Sequence, residues 1–252
     1  MTFDVAAEKY DAFMGAWSRP LAPQLADFAR IEPGQRVIDV GCGPGSLTAE
    51  LVERLGAANV TAVDPSEPFV SAARARHPGV DVRTATAEAL PFDDDRFDAA
   101  LAQLVVHFMA DPVAGLREMA RVTRGGGIVA ACVWDYGSRR SALEPFWRVV
   151  RETDPDVNDE SHLAGTREGH LAELFAAAGL RDIESIVLES SRRFEGFEDW
   201  WAPFTGGVGP AGGYVARLDP EARAALRDRC RESLPKGAFV LDARAWAARG
   251  VV

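Results

Sequence analysis

Val37-Ile38-Asp39-Val40-Gly41-Cys42-Gly43-Pro44-Gly45 is an apolar run that carries one carboxylate and then breaks into alternating glycines. It reads as the end of a buried strand. Glycines at 41, 43 and 45 accept backbone angles and close approaches that a Cβ would block, and Ser46-Leu47-Thr48-Ala49-Glu50-Leu51 opens a helical pattern directly afterwards. Strand, glycine turn and helix together make a nucleotide-binding corner. Such a corner wants an acid at the end of the next strand, and Val60-Thr61-Ala62-Val63-Asp64 supplies one, 23 positions after Gly41 (64 − 41). Asp64 is placed to bind ribose hydroxyls.

Asp39 discriminates between cofactors. A dinucleotide brings a doubly charged pyrophosphate against the glycine turn, where a carboxylate two residues upstream opposes it. The spacing departs from a dinucleotide site as well, because Ser46 stands where the third small residue belongs and the glycine arrives one position early, at Gly45. A ligand with a cationic amino-acid end suits Asp39 better. S-adenosylmethionine has an ammonium and a sulfonium there, and its adenosine half still uses Asp64.

Asp39-Val40-Gly41-Cys42-Gly43-Pro44-Gly45, Asp64-Pro65-Ser66 and Ala87-Glu88-Ala89-Leu90-Pro91-Phe92, in that order and spacing, resemble the cofactor motifs of class I methyltransferases. The nearest group is the ubiquinone/menaquinone-biosynthesis-like small-molecule methyltransferases, and the likeness runs over roughly residues 10 to 190. The resemblance implies an α/β, Rossmann-like doubly wound sheet of seven strands, six parallel and the last antiparallel, with S-adenosylmethionine over the carboxyl ends of the first strands. It further implies that Gly41, Cys42 and Gly43 approach the methionine and ribose, Asp64 the ribose, Pro65 and Ser66 the adenine edge, and Ala87 and Glu88 the adenine. Gln103 then sits beside the methionine portion, Tyr10 closes over the cofactor, and the Arg19 guanidinium takes its carboxylate. S-adenosylhomocysteine is the product left behind.

Composition bounds the rest. A chain of 252 residues with 47% hydrophobic content can bury one large core with appended insertions. We expect a single methyltransferase domain over 1–252, with an N-terminal helical cap at 1–33, a cofactor-binding core at 34–137, and substrate-side insertions at 139–165 and 194–236. A net charge of −10 opposes binding to a phosphate backbone, and Ala102-Gln103-Leu104-Val105 stands where base methyltransferases carry an Asn/Asp-Pro-Pro-Tyr/Phe motif, so nucleic acid is not an expected partner. Cys42, Cys132 and Cys230 lack metal-ligand spacing, as do His77, His162 and His170, and no metal is expected. No run approaches a membrane span and the amino terminus lacks a signal pattern, so the expectation is a cytoplasmic protein, monomeric or homodimeric.

Along the chain, two short helices fill the first 30 residues, with Tyr10, Phe13 and Trp17 on one face. Strands are expected at 36–40, 60–63, 80–84, 97–102, 128–133, 183–188 and 238–248, the last antiparallel to the sixth. Further helices are expected at 143–150, from Thr166 as cap to Gly179, and from Asp219-Pro220 onward; the glycine-rich stretch 206–213 reads as a flexible lid or surface turn.

Methyl transfer from a sulfonium is an in-line displacement with a good leaving group, so positioning and desolvation supply most of the catalysis. The donor is therefore readable from the motifs and the acceptor is not. His107, after the fourth strand, is a weak candidate for deprotonating an acceptor, with a packed or capping histidine as the competing reading. Trp134, Phe146, Trp147, Trp200, Trp201, Phe204 and Tyr214 collect near the open edge of the sheet and suggest an apolar or aromatic pocket for a small-molecule acceptor. Packing of the insertions onto the core explains at least half of them equally well. The rival functions are a nicotinamide-dependent oxidoreductase and a cofactor-holding enzyme on the same fold that does not methylate.

Overall fold

The computed structural model describes residues 7–252. Seven strands form one sheet: β1 Val37–Val40, β2 Val60–Asp64, β3 Asp81–Thr84, β4 Phe97–Gln103, β5 Thr123–Trp134, β6 Arg181–Phe194 and β7 Phe239–Val251, in the order β3-β2-β1-β4-β5-β7-β6. β1 to β5 pair in parallel, and β7 runs antiparallel to both β5 and β6, which leaves β6 parallel to the rest. The strand order reverses between β1 and β4, so a crevice opens at their carboxyl ends.

Every residue of β1 and β2 is buried, as the continuous apolar runs require when both faces are covered. The period-2 alternation divides the interior between the faces. Val37, Ala99, Leu101, Ala130, Cys132 and Trp134 join the core on one side; Ile38, Val40, Ala100, Ala102, Val129, Ala131 and Val133 join the other. The first side is covered by the amino-terminal helices and the helices Ser46–Leu55, Glu144–Thr153 and Pro220–Ser233; the second by Pro112–Val122 and His170–Ala177. By the same alternation Asp39 and Gln103 face the first side, beneath the amino-terminal helices.

Those helices comprise a run of α-helix Ala7–Tyr10, π-helix Asp11–Gly15 and α-helix Ala16–Ser18, followed by Leu21–Phe28. Phe13 and Trp17 are buried and Tyr10 packs against the same core. Ser190 Oγ donates to the Trp17 carbonyl at 2.9 Å, and Gln24 exchanges hydrogen bonds with the backbone of Glu189.

The structure corrects several expected elements. β6 continues to Phe194 because Glu189-Ser190-Ser191-Arg192-Arg193, polar enough to read as loop, pairs with Val240–Arg244, and the two strands end with Phe194 stacked on Phe239 at 5.4 Å. Thr166 caps no helix: its hydroxyl donates to the carbonyls of Ser161 and Leu163, and the helix His170–Ala177 starts instead from Gly169 in the left-handed region. The glycine-rich stretch is not a surface turn throughout. From Gly209 it is the helix Gly209–Arg217, started by Pro210 in its first turn. A Cβ on Gly212 would stand 2.8 Å from the backbone of Gly207, so this helix uses glycine to pack against its own preceding loop.

Candidate active site

The glycine turn is fixed from three sides. The N–H groups of Gly41 and Cys42 both donate to the Val63 carbonyl, at 2.8 and 2.9 Å, so the turn hangs on the end of β2. Asp64 reaches back, its Oδ2 accepting from the Gly43 N–H and its Oδ1 from the Ser66 N–H, each at 2.9 Å. Gly41 has φ +74°, and a Cβ there would lie 2.4 Å from Val105 Cγ2. Val105 packs onto Gly41 and directly follows Leu104, which adopts φ 62° just beyond β4, a costly angle for a side chain of this size. On the far side, Arg76 donates to the Pro44 carbonyl at 3.1 Å and ion-pairs with Asp11 at 2.6 Å, which ties the amino-terminal helical run over the turn.

Asp39 lies under this turn, 1% exposed. Its Oδ2 accepts from the Thr48 hydroxyl at 2.6 Å, whereas Oδ1 has no partner among the described residues. Burial, reinforced by the nearby Asp64 charge and opposed by the Thr48 hydrogen bond, pushes its pKa up to about 7. Gln103, on the same face at the end of β4, donates from Nε2 to the Ser18 carbonyl at 3.0 Å and leaves Oε1 unpartnered. Two orphaned oxygen acceptors on neighbouring strands at the topological switch suit a ligand that brings N–H donors and positive charge. An anionic pyrophosphate brings neither.

A cavity of about 30 Å³ opens beside the crevice. Tyr10, His107, Trp134, Tyr136 and Glu160 supply its polar and aromatic walls, and Gly209 and Pro210 close one side. Glu160 is 2% exposed; it accepts hydrogen bonds from Tyr136 and, at 3.1 Å, from Trp147 Nε1, and burial holds its pKa up at about 7. His107 is 4% exposed, its ring 4.0 Å from that of Phe108, with Nδ1 unpartnered. Burial lowers its pKa to about 3, which keeps the ring neutral at physiological pH.

A methyltransferase-domain family profile matches residues 38–131, which span β1 through most of β5. A malonyl-(acyl-carrier protein) O-methyltransferase of Pseudescherichia vulneris is 36% identical over 191 residues, covering 74% of this chain and 70% of that protein. The chain belongs to the S-adenosylmethionine-dependent methyltransferases. Among solved structures, the geranyl diphosphate C-methyltransferase of Streptomyces coelicolor, held with S-adenosylhomocysteine, superposes with a TM-score of 0.53 at 16% identity, over 92% of this chain and 78% of that one. The [4+2]-cyclase SpnF superposes with a TM-score of 0.56 at 22% identity, over 93% and 81%. Both likenesses concern the fold.

In this methyltransferase the residues expected around the cofactor divide into two groups. Asp39, Gly41, Cys42, Gly43, Asp64, Pro65, Ser66 and Gln103 gather at the carboxyl ends of β1, β2 and β4, and Tyr10 arrives from above, its ring 5.2 Å from Phe69. Ala87 and Glu88 follow β3, but the Glu88 carboxylate accepts from the N–H groups of Ala110 at 2.8 Å and Asp111 at 3.3 Å, joining two loops. Arg19 is exposed, one residue beyond the Ser18 that carries Gln103.

Of the aromatic residues expected around an acceptor, Trp134 lines the cavity. Phe146, Trp147, Trp200, Trp201 and Phe204 belong to the core, with Tyr214 packed against them, and Phe146 stacks on Phe204 at 4.7 Å. Trp200 and Phe204 also line a separate, smaller cavity with Phe13 and Arg192. Sequence reading missed Tyr136 and Glu160. They are 24 positions apart, one just past β5 and one in a short 3-10 turn, and only the tertiary fold joins them. Among the described residues no helix is long and apolar enough to cross a membrane.

Proposed function

We propose that this chain transfers the methyl group of S-adenosylmethionine to a small-molecule acceptor held in the cavity walled by His107, Tyr136 and Glu160. The observation that carries the reading is the pair of unpartnered acceptors, Asp39 Oδ1 and Gln103 Oε1, beneath a glycine turn that has no room for a Cβ at position 41. Bound S-adenosylmethionine supplies a methyl group made electrophilic by its sulfonium. The residues of the chain do the positioning. Gly41, Cys42 and Gly43 give the backbone of the cradle, Asp39 and Gln103 receive the ammonium, Asp64 the ribose hydroxyls, and Arg19 the carboxylate. Pro65, Ser66, Ala87 and Glu88 border the adenine, and Tyr10 covers the ligand from the amino-terminal helix. An ionised carboxylate can accept more than the two backbone N–H groups that Asp64 already receives, so its engagement with the turn is compatible with holding ribose.

His107 serves as a neutral wall residue in this reading, because a ring with so low a pKa takes up no proton near pH 7. The insertions around 139–165 and 194–236 shape the acceptor side. A second reading, an enzyme that holds the cofactor without spending its methyl group, draws support from the shared fold of the SpnF cyclase. Incubation with methyl-labelled S-adenosylmethionine and a panel of acceptors separates the two: label appears in product under the first reading, whereas product without label contradicts it.

A further inference from the structure

Glu160 is a buried carboxylate with no cation beside it among the described residues. Its hydrogen bonds come from neutral donors, the Tyr136 hydroxyl and the Trp147 indole. Arg151 is committed elsewhere, paired with Glu144 and, at 2.6 Å, with Asp159. Among the described residues no lysine or arginine lines the cavity that Glu160 faces. An uncompensated carboxylate in such a place is costly, by several kcal/mol as a rule, unless a ligand completes it. The remaining walls are rings: Tyr10, Phe13, His107, Phe108, Trp134 and Tyr136. His107 adds a buried nitrogen, Nδ1, without a partner among the described residues.

One carboxylate inside a wall of aromatic rings is the arrangement that recognises an organic ammonium, through charge, N–H donation and the negative faces of the rings. We infer that the acceptor is an amine, bound with its nitrogen on the Glu160 carboxylate in the cavity that His107 also lines. An acceptor that reacts as a phenolate or enolate would set a second negative charge against Glu160, and a neutral alcohol would leave the carboxylate uncompensated. The cavity is small, with room for roughly two or three waters, which suits an amine head group with its body at the mouth. When the ammonium gives a proton to Glu160, one N–H bond is exchanged for one O–H bond and the nitrogen lone pair is freed. This inference rests on the methyl-transfer reading of the same site.

Calorimetric titration of the full chain with 2-phenylethylamine and with its isostere 2-phenylethanol, without cofactor, tests the inference. The amine is expected to bind at least about tenfold more tightly. Because Glu160 titrates near 7, binding of the amine at about pH 7 should release about half a proton to the buffer, read from the dependence of the heat on buffer ionisation. Glu160→Gln, checked for a native circular dichroism spectrum, should abolish both the preference and the proton release while leaving affinity for S-adenosylhomocysteine within about twofold. The inference is overturned if the alcohol binds as tightly as the amine, if the amine does not bind, or if preference and proton release survive in the variant. The comparison on the wild-type chain decides even if the variant fails to fold. Failure of the wild-type protein to bind S-adenosylhomocysteine would instead strike the methyl-transfer reading, since the amine preference is measured without it.

Discussion

Asp39 and Glu160 pose one physical problem at the two ends of the site: each is a carboxyl group taken out of water with neutral donors and, among the described residues, no cation. Asp39 faces the Thr48 hydroxyl and the Asp64 charge; Glu160 faces the Tyr136 hydroxyl, the Trp147 indole and the Asp159 charge. Both titrate higher in the folded chain, near 7, than the ordinary values of 3.8 and 4.5. A raised folded pKa means that the folded state holds the proton more tightly. The associated stability is complete below about pH 4 and is lost as the pH climbs to about 7. Glu160→Gln removes one such titration. Its stability relative to wild type should therefore rise between about pH 5 and pH 8, by on the order of 2 kcal/mol, in urea unfolding curves. Parallel pH profiles for the two proteins would contradict the placement of Glu160.

Gly41 is the residue at which sequence and structure agree most closely. Its role follows from local pattern, because a glycine directly after an apolar strand announces a turn without Cβ, and the structure adds what the sequence could not show, the isopropyl group of Val105 filling the place of the missing side chain. Gly41→Ala should weaken binding of S-adenosylhomocysteine by at least about tenfold and cost about 1–3 kcal/mol of stability. Calorimetry and denaturation check the two halves separately. Tyr136 and Glu160 were illegible for the opposite reason: a hydrogen bond between a residue after β5 and one in an insertion leaves no periodic trace.

At the scale of elements, the amino-terminal helical run is a cover that packs into the core through Phe13 and Trp17 and is fastened to the glycine turn's surroundings by a few contacts. Asp11 meets Arg76, Tyr10 meets Phe69, and Ser18 Oγ lies 3.2 Å from the Ser46 hydroxyl at the start of the helix after the glycine turn. Arg76 joins the cover to the turn through the Pro44 carbonyl. The Arg76–Asp11 pair is partly exposed, so its contribution to global stability is small. Arg76→Ala should loosen S-adenosylhomocysteine binding by about three- to tenfold while changing stability by less than about 1 kcal/mol. Equal affinity in wild type and variant would show that the cover does not act on the site.

The helix Gly209–Arg217 teaches a different lesson about legibility. Glycine is a poor helix former, and Gly206-Gly207-Val208-Gly209-Pro210-Ala211-Gly212-Gly213 reads by propensity as open chain. Tertiary packing overrides that: Val208, Ala211 and Val215 enter the core, and Gly212 must lack a side chain to meet Gly207. Gly212→Ala should destabilise the protein by about 1–3 kcal/mol despite the higher helix propensity of alanine. A stabilised variant in thermal unfolding would contradict this account. The extended β6–β7 pairing was hidden similarly, since polar residues along Glu189–Arg193 obscure a ladder that ends on Phe194 and Phe239.

For the whole molecule, the division of labour follows from the sheet. The parallel half, β1 to β4, was legible almost residue by residue, because its strands are short, doubly buried and punctuated by glycines and acids. Its carboxyl ends carry the glycine turn, Asp39, Asp64 and Gln103. The antiparallel half and the insertions complete the first core and the cavity beside the crevice, and there the sequence offered aromatic content without saying which rings pack and which line a wall. Trp147 shows how the two roles merge: it is buried in the core and its indole also orients Glu160. The cofactor end is thus read from a local motif, and the acceptor end is read from long-range contacts.

We expect the crevice over β1, β2 and β4 to take S-adenosylmethionine and not a dinucleotide. Calorimetric titration of the purified chain with S-adenosylhomocysteine and, separately, with NADH tests it most directly. S-adenosylhomocysteine should bind saturably, one to one, and more weakly to Gly41→Ala, and NADH should not bind; binding of NADH alone, or of S-adenosylhomocysteine with equal affinity to wild type and Gly41→Ala, would rule out this cofactor assignment.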